Sequence, residues 1–307
     1  GNTVVWKPAA NALYSAHFLM QLFREAGLPD GVINLVMGEP GEISNACLDH
    51  RDLAGLHFTG STPVFGMMWR RVGDNINRYR SYPRLVGETG GKDFVFAHPS
   101  ADLEALAVAL VRGAFEFQGQ KCSAASRAFI PRSIWPALKE RLVALIATLK
   151  VGDVADFRNF MGAVIDGRAH ARITGYVEQA RHDASCTLLA GGGASSSEGF
   201  FVEPTLIETS DPQHRLMREE IFGPVLSVWV YPDGEEAQAF ELCNGSTAYA
   251  LTGAIFGQDR HFIERATRAL RFAAGNFYIN DKPTGAVVGQ QPFGGARGSG
   301  TNDKAGS

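Results

Sequence analysis

Cysteine is scarce in this sequence, and its copies are far apart. The four cysteines, Cys47, Cys122, Cys186 and Cys243, include no C-x-x-C pair. This spacing argues against a disulfide framework or a zinc ribbon and is typical of a reducing compartment. The eight histidines contain no H-E-x-x-H pair, so the sequence predicts no metal site and no metal-dependent mechanism.

Long apolar runs and an excess of one charge are also missing. No stretch approaches the roughly 20 apolar residues of a membrane-spanning helix. The net charge is −3, and no basic stripe accompanies it. We therefore expect neither nucleic acid nor a membrane as a partner, and a small-molecule substrate instead.

The remaining composition is that of a globular protein of more than one domain. Hydrophobic residues make up 45% and charged residues 20% of the chain, which is ordinary for a folded protein. A length of 307 residues favours two domains, or one domain with part of another. The chain opens directly into a strand-like run without a start methionine and stops in a loop-like one, so we interpret it as a piece of a longer protein.

The first ninety residues alternate short apolar strands with helices, which predicts a parallel α/β sheet. Strands are expected at residues 4–6, 32–36 and 53–59, with a helix between the first two that Gly27 and Pro29 terminate. The third strand runs into Gly60-Ser61-Thr62-Pro63 and another helix. A strand, a glycine turn and a helix start are a suitable setting for a bound phosphate.

The rest of the chain also has an α/β pattern. A helix is expected at about residues 102–115. A second helix is expected to bury one face, with the apolar side chains of Trp135, Leu138, Leu142, Leu145 and Leu149. Residues 191–197, GGGASSS, are interpreted as a flexible hairpin tip because strand-like runs flank them.

Cys122 is the first candidate for chemistry. A lone cysteine is usually a small buried apolar residue. Here it lies in residues 117–124, FQGQKCSA, where Gly119 permits close approach of the backbone and Lys121 can help to hold a thiolate. We expect a helix just beyond, and these features together predict a lowered thiol pKa and a nucleophile.

Two acidic motifs accompany this cysteine. Glu88 follows a predicted strand in residues 86–92, VGETGGK, where paired glycines would let its carboxylate face a cleft. Glu220 lies in residues 219–225, EEIFGPV. Taken alone, each is most simply a carboxylate at a turn.

Together, these motifs resemble the aldehyde dehydrogenase superfamily over essentially the whole chain. The matching motifs occur in the order of the family and comprise Trp6-Lys7-Pro8-Ala9, Phe58-Thr59-Gly60-Ser61, Glu88-Thr89-Gly90-Gly91-Lys92, Gly119-Gln120-Lys121-Cys122, Glu220-Ile221-Phe222-Gly223-Pro224 and Pro292-Phe293-Gly294-Gly295. The resemblance implies an incomplete Rossmann-type domain for NAD at residues 1–89 and an α/β catalytic domain at residues 90–307.

The resemblance also implies roles for individual residues. Cys122 would be the nucleophile and Glu88 the general base, and the N–H group of Cys122 would form half of an oxyanion hole. The residues implied for the cofactor are Lys7 at the adenosine ribose, Gly60 and Ser61 at the pyrophosphate, and Glu220 and Phe222 at the nicotinamide riboside. Relatives form homo-oligomers, and a homo-oligomer is expected for the full-length protein.

The sequence departs from the family in three places. The second oxyanion donor, an asparagine, would lie upstream of Gly1. Phe65 replaces a common glycine, and Ala10 replaces an acidic residue that many members use against a 2′-phosphate. The preference for NAD over NADP is thus inherited from the resemblance.

Within the superfamily, the 1-pyrroline-5-carboxylate dehydrogenases are most similar, through residues 78–84, 118–123 and 276–291. These enzymes oxidise glutamate-γ-semialdehyde to glutamate in proline catabolism. The resemblance implies substrate contacts from five residues, namely Lys121, Ser123, Gly285, Ala286 and Phe293. It also implies a cytoplasmic location in a bacterium, which we favour, or the mitochondrial matrix in a eukaryote.

Three alternatives remain at this stage. One is a dehydrogenase for another acidic semialdehyde, such as succinate semialdehyde, and a second is a cysteine hydrolase with a histidine base. The third is an inactive or merely cofactor-binding module, because part of the cofactor sheet and one oxyanion donor would be absent.

Overall fold

The structure, a computed structural model, describes residues 1–287 and 289–304. The chain forms two compact units. One contains Gly1–Phe58 and Pro63–Val86, and the other contains Thr59–Thr62 and the chain from Gly87 onward. The predicted α/β class is confirmed. The predicted boundary at residue 89, and the nucleotide-binding and catalytic roles of the two parts, stay predictions.

The first unit follows the predicted alternation of strands and helices. Its elements are β1 (Val4–Trp6), α1 (Leu13–Glu25), β2 (Ile33–Leu35), α2 (Pro40–Leu48), β3 (Gly55–Thr59), α3 (Thr62–Asp74) and β4 (Arg84–Glu88), with a short 3₁₀ helix at Ala10–Ala12 before α1. Strands β1 and β2 are parallel, and β3 pairs with β4. Gly27 has a φ of +89°, the left-handed conformation expected just after a helix.

A small apolar core holds the first unit together. Leu48, Met68 and Val72 are its buried members. Phe65, at a position where the family resemblance implies a glycine, is also buried and stacks on Phe58 with ring centroids 6.0 Å apart. The larger side chain is therefore accommodated by packing on β3.

The second unit is built on a seven-stranded sheet. The strands of the whole unit, in this sheet and outside it, are β5 (Asp93–Ala97), β6 (Ala125–Pro131), β7 (Cys186–Ala190), β8 (Ala194–Ser195), β9 (Phe201–Val202), β10 (Thr205–Thr209), β11 (Val225–Tyr231), β12 (Tyr249–Ala250), β13 (Thr252–Phe256), β14 (Asn276–Ile279) and β15 (Ala296–Arg297). Its helices are α4 (Leu103–Phe115), α5 (Trp135–Thr148), α6 (Gly167–His182), α7 (Arg215–Arg218), α8 (Glu236–Gly245) and α9 (Arg260–Leu270).

The order of the large sheet is β14-β13-β5-β6-β11-β10-β7. All neighbouring strands in it are parallel except β7, which is antiparallel to β10. Strands β8 and β9 form a small antiparallel pair. Residues 191–197 are predicted to be a flexible hairpin tip. Within them, Ala194 and Ser195 are instead paired as strand β8.

Helices cover both faces of the large sheet. Along β5, Val95 and Ala97 belong to one buried core, whereas Phe94 and Phe96 belong to another. Because successive side chains of a strand point to opposite faces, these cores lie on opposite sides of the sheet. Helices α4 and α5 contribute to the first core, and α8 and α9 to the second.

The predicted buried face of α5 is partly confirmed. Trp135, Leu138, Leu142 and Ile146 are buried, the last three at a spacing of four residues, whereas Leu145 and Leu149 are only half-buried. The helical period of 3.6 residues explains the buried spacing, because positions i and i+4 lie on one face. None of the helices in the described parts of the chain is long and apolar enough to cross a membrane.

Candidate active site

Cys122 lies in a turn, where the sequence predicts a helix start. A 3₁₀ helix at Glu116–Gly119 precedes the turn, and strand β6 begins at Ala125. The predicted helix just beyond Cys122 is therefore wrong. All seven residues of β6 are buried, which is the pattern of a central parallel strand with both faces covered.

The backbone before Cys122 is held in an unusual conformation. Phe117, Gln118 and Gly119 have φ values of 55°, 59° and 61°, a left-handed region that non-glycine residues rarely adopt. A Cβ atom on Gly119 would lie 2.4 Å from the carbonyl oxygen of Gly223. Gly119 is thus required for close approach, and this approach brings the segment before Cys122 against the segment that follows Glu220 and Phe222.

The Glu220 carboxylate joins its own segment to the segment that contains Gly91 and Lys92. Its Oε2 accepts hydrogen bonds from the N–H groups of Gly91, at 2.7 Å, and Lys92, at 2.8 Å. Its Oε1 accepts one from the N–H of Phe222 at 3.0 Å. Phe222 is half-buried with a φ of 53°, and this conformation lets its N–H face the carboxylate.

The environment of Cys122 corrects one prediction. Burial, followed by the carboxyl groups of Asp93, Glu88 and Glu220 when they are ionised, raises the pKa of Cys122 to about 12. The sequence predicts a lowered thiol pKa instead. Lys121 does not offset this effect, because its ammonium group forms a 3.1 Å salt bridge with Glu116.

Glu88, at the end of β4, is buried, with 7% of its surface exposed. Both carboxylate oxygens accept a hydrogen bond from the N–H of Gly295, at 3.2 and 3.1 Å. Burial raises the pKa of Glu88, and the Gly295 N–H and the charge of Lys304 oppose this shift. A raised pKa is the direction expected for a carboxylate that acts as a general base.

The glycine turn before α3 is joined to the same region. The N–H of Gly60 donates to the main-chain oxygen of Glu88 at 3.1 Å, and the hydroxyl of Thr62 donates to that of Gly298 at 3.1 Å. Gly60 and Ser61 are exposed. Lys7 belongs to the other unit, where it follows β1 and its ammonium group donates to the carbonyl of Pro8 at 2.8 Å.

The predicted substrate loop contacts the turn that carries the cysteine. The hydroxyl of Ser123 donates to that of Thr284 at 3.0 Å. Gly285 and Ala286, which follow Thr284, are half-buried, and so is Phe293. Val288, which is part of the predicted loop, and residues 305–307 lie outside the described residues.

Comparison with known proteins identifies the family. The profile described as "Aldehyde dehydrogenase family" matches residues 1–307. The chain belongs to the aldehyde dehydrogenase family. Among curated relatives, the protein named delta-1-pyrroline-5-carboxylate dehydrogenase, mitochondrial, of Mus musculus is 50% identical over 307 residues, which cover 100% of this chain and 55% of that protein. The Homo sapiens protein of the same name is also 50% identical, with 54% of its length covered.

Solved structures agree with this family assignment. The Delta-pyrroline-5-carboxylate dehydrogenase of Mycobacterium tuberculosis bound with NAD is 54% identical, with a TM-score of 0.93, and the match covers 100% of this chain and 56% of that one. A 1-pyrroline-5-carboxylate dehydrogenase from Thermus with bound NAD is 37% identical, with a TM-score of 0.93 and 58% of its chain covered. The chain thus spans about half the length of these relatives.

This member of the aldehyde dehydrogenase family also has a buried polar layer that sequence reasoning missed. The ammonium group of Lys92 donates to the hydroxyl of Ser126 at 2.7 Å, and burial lowers the pKa of Lys92 to about 7. The guanidinium group of Arg127 donates to the carbonyl of Lys92 at 3.0 Å and to the hydroxyl of Ser246 at 2.6 Å. The only signal in the sequence is the place of Lys92 in the Glu88 motif.

A second cluster, of metal-ligand type, was also missed. Asp183, Cys186 and His214 offer one ligand atom each within 4.8 Å of one another. His214 Nδ1 accepts a hydrogen bond from the N–H of Leu216 at 3.2 Å, and its Nε2 lies 3.2 Å from Asp183. Both ring nitrogens therefore already have partners, which is sufficient to explain the cluster as the cap of α7.

Proposed function

We propose that the protein carrying this chain oxidises glutamate-γ-semialdehyde to glutamate with NAD as the hydride acceptor. The observation that carries the proposal is the placement of the half-buried Cys122 and the buried Glu88 in one site, close enough for the Glu88 charge to bear on the thiol. The names of the relatives, and the NAD bound to two of the similar structures, support the substrate and the cofactor.

Cys122 and Glu88 divide the chemistry between them. The sulfur of Cys122, as a thiolate, bonds to the aldehyde carbon, and the N–H of Cys122 stabilises the resulting oxyanion. NAD, when bound, accepts the hydride that leaves this carbon, so the substrate is oxidised to a thioester. Glu88 then takes a proton from water, whose oxygen attacks the thioester carbon and releases the carboxylic acid and the thiol.

The residues assigned to the cofactor fit a dinucleotide. Gly60 and Ser61 form an exposed turn at the start of the 13-residue helix α3, where main-chain N–H groups and the helix dipole favour a phosphate. Glu220 and Phe222, joined by a hydrogen bond within their turn, would hold the nicotinamide riboside. Lys7 is assigned to the adenosine ribose.

The substrate contacts follow from its charged end. The α-carboxylate and α-ammonium groups need polar partners, because burying an unpaired charge is costly. We assign the carboxylate to the N–H groups of Gly285 and Ala286 and the methylene groups to Phe293. Ser123 fixes the loop through Thr284, and Lys121 adds a positive charge that Glu116 partly balances.

Location and assembly follow from the same proposal. The names of the mouse and human relatives place those proteins in mitochondria. We propose the mitochondrial matrix for a eukaryotic source and the cytoplasm for a bacterial one. A homo-oligomer stays a prediction.

The decisive experiment compares substrates. We expect kcat/KM for glutamate-γ-semialdehyde to exceed that for pentanal by about 10⁴-fold, because the N–H donors of the loop lose their partner with the simple aldehyde. Succinate semialdehyde, with a shorter chain, should lie between them. Equal values for the semialdehyde and pentanal would refute the substrate, and turnover without NAD would refute the dehydrogenase in favour of a hydrolase.

A pair of loop variants locates the specificity. Ala286→Pro removes one N–H donor and should lower kcat/KM for the semialdehyde while leaving that for pentanal unchanged. Val287→Ala is the matched control, because Val287 is an exposed neighbour whose N–H is already bonded to Gln291. Equal losses for both aldehydes in Ala286→Pro would show general damage to the loop.

A further inference from the structure

The carboxyl group of Asp93 lies beside the main chain of Cys122. A Cβ atom on Gly91 would lie 1.8 Å from the carbonyl oxygen of Cys122 and 2.1 Å from Oδ2 of Asp93, which places these two oxygens less than 4 Å apart. Asp93 is 1% exposed. The missing side chain of Gly91 is what allows the two groups to share this space.

The two oxygens of Asp93 have different surroundings. Oδ1 accepts a hydrogen bond from the N–H of Thr252 at 2.6 Å. Oδ2 is buried and has no hydrogen-bond partner among residues 1–287 and 289–304. A carbonyl oxygen and a carboxylate oxygen are both acceptors and repel each other in a dry site, whereas a proton on Oδ2 would replace this repulsion with a hydrogen bond.

Ionisable groups on several elements surround Asp93. Lys92 precedes it in the chain, Arg127 lies on β6, Glu220 precedes β11 and Tyr278 lies on β14. Burial, followed by the charge of Glu220, raises the pKa of Asp93 well above its usual value, and the Thr252 N–H and Arg127 only partly oppose this. A neutral acid also avoids a negative charge that would raise the thiol pKa of Cys122.

We propose that Asp93 is a positioning residue that acts as a neutral carboxylic acid, with the proton on Oδ2 donated to the carbonyl oxygen of Cys122. This inference rests on the proposed function in that Cys122 is the nucleophile. The hydrogen bond fixes the peptide that carries the reactive sulfur, and the acid places no charge beside it.

The test replaces Asp93 by its neutral isostere. In Asp93→Asn, the amide oxygen can still accept from Thr252, and the amide N–H can donate to the Cys122 carbonyl. The measurement is the rate at which iodoacetamide alkylates Cys122 as a function of pH, which needs no aldehyde substrate. At neutral pH, where the proposal has Asp93 uncharged, we expect D93N and the wild type to be alkylated at the same rate.

An ionised Asp93 would give a different result. If Asp93 were a carboxylate at neutral pH, D93N would remove a negative charge beside the sulfur and lower the thiol pKa by about one unit or more, so that alkylation at neutral pH would be about tenfold faster or more. That shift would overturn the proposal. Because alkylation is independent of the aldehyde, a wrong substrate assignment would leave this readout intact and would appear only in the substrate comparison above.

Two further measurements separate positioning from general packing. Asp93→Leu keeps the site neutral but removes the donor, so we expect a kcat at least about 10-fold lower than that of D93N, the loss typical of one buried hydrogen bond. Equal kcat values would overturn the role of the donor. If either variant fails to fold, infrared spectra of the wild type with isotope-labelled aspartate decide the matter, because a protonated buried acid has its own carbonyl band and its absence refutes the proposal.

Discussion

The N–H of Gly295 donates to both carboxylate oxygens of Glu88, at 3.2 Å to Oε1 and 3.1 Å to Oε2. A Cβ atom on Gly294 or Gly300 would lie 3.4 or 3.2 Å from Oε1, so glycines surround this carboxylate at close range. Glu88 is thereby held at one place in a buried setting. Burial raises its pKa, while the Gly295 N–H keeps the ionised form accessible.

Glu88→Gln should therefore affect hydrolysis of the thioester more than hydride transfer. Steady turnover should fall by about 10²- to 10⁴-fold, the usual contribution of a general base, while the first-turnover burst of reduced cofactor remains. Rapid-mixing absorbance of reduced cofactor measures both. Glu140→Gln, on the exposed side of α5, is the matched control, and an unchanged steady rate in Glu88→Gln would refute the assignment.

The raised pKa of Glu88 also predicts how steady turnover depends on pH on the acid side. Glu88 acts as a base only when ionised, and its pKa is raised above the ordinary glutamate value. Steady turnover should therefore fall as the pH is lowered through that raised pKa, and the burst amplitude should fall less. If burst and steady rate lost activity in parallel, the titrating group would not be the deacylation base.

Cys122→Ala should abolish oxidation of the aldehyde, because no other group can form the thioester. Cys47→Ala, a half-buried cysteine of the first unit, should retain it. In the resting protein, alkylation of Cys122 should be slow near neutral pH and should accelerate as the pH rises, because burial raises the thiol pKa to about 12. Mass spectrometry of the labelled peptides measures this, and fast labelling at neutral pH would contradict the environment described here.

The sequence predicts those residues of the site that lie in a short local motif, and it does not predict those whose roles arise from packing between distant segments. Cys122, Glu88 and Glu220 were found because each lies in a short motif. Asp93 and Arg127 were missed because their roles come from packing between strands β5 and β6 and carry no local signature.

The same distinction explains the wrong predictions around the nucleophile. A glycine turn before an apolar run is typical of a helix start, but residues 125–131 form a central strand because both of its faces are covered by other elements. The predicted low thiol pKa relied on that helix and on Lys121. The structure instead has a strand there, and Lys121 pairs with Glu116.

Gly91→Ala should strongly destabilise the second unit. The added methyl group would lie 1.8 Å from the carbonyl oxygen of Cys122, so backbone must move, at a cost of about 3 kcal/mol or more. Gly175→Ala, within α6, meets nothing within 4 Å and should stabilise by about 0.5–1 kcal/mol because alanine favours a helix. Urea unfolding of both variants measures the difference, and a neutral Gly91→Ala would show that the two segments are further apart.

Lys92→Met should change how stability depends on pH. Lys92 is 1% exposed, and its ammonium group donates to the hydroxyl of Ser126 at 2.7 Å. No carboxylate within the described part of the chain forms a salt bridge with it. Burial therefore lowers its pKa from 10.5 to about 7, although the charge of Glu220 opposes the shift.

The sign follows from proton binding. Between about pH 7 and pH 10.5, the unfolded chain keeps the Lys92 proton and the folded chain has lost it, so the unfolded state binds more protons and the free energy of unfolding rises with pH. Lys92→Met lacks this rise. The difference in the free energy of unfolding, wild type minus variant, should therefore increase by up to about 1.4 kcal/mol per pH unit in this window and stay level below it.

Urea unfolding at pH 6 to pH 10 measures this difference, and groups common to both proteins cancel in it. Lys150→Met, at an exposed position after α5, is the control and should give a flat difference. If the Lys92→Met difference were flat as well, Lys92 would remain charged in the folded protein across the window. The buried polar layer would then carry a permanent positive charge. This charge, together with that of Arg127, would favour the ionised form of Asp93 over the neutral form.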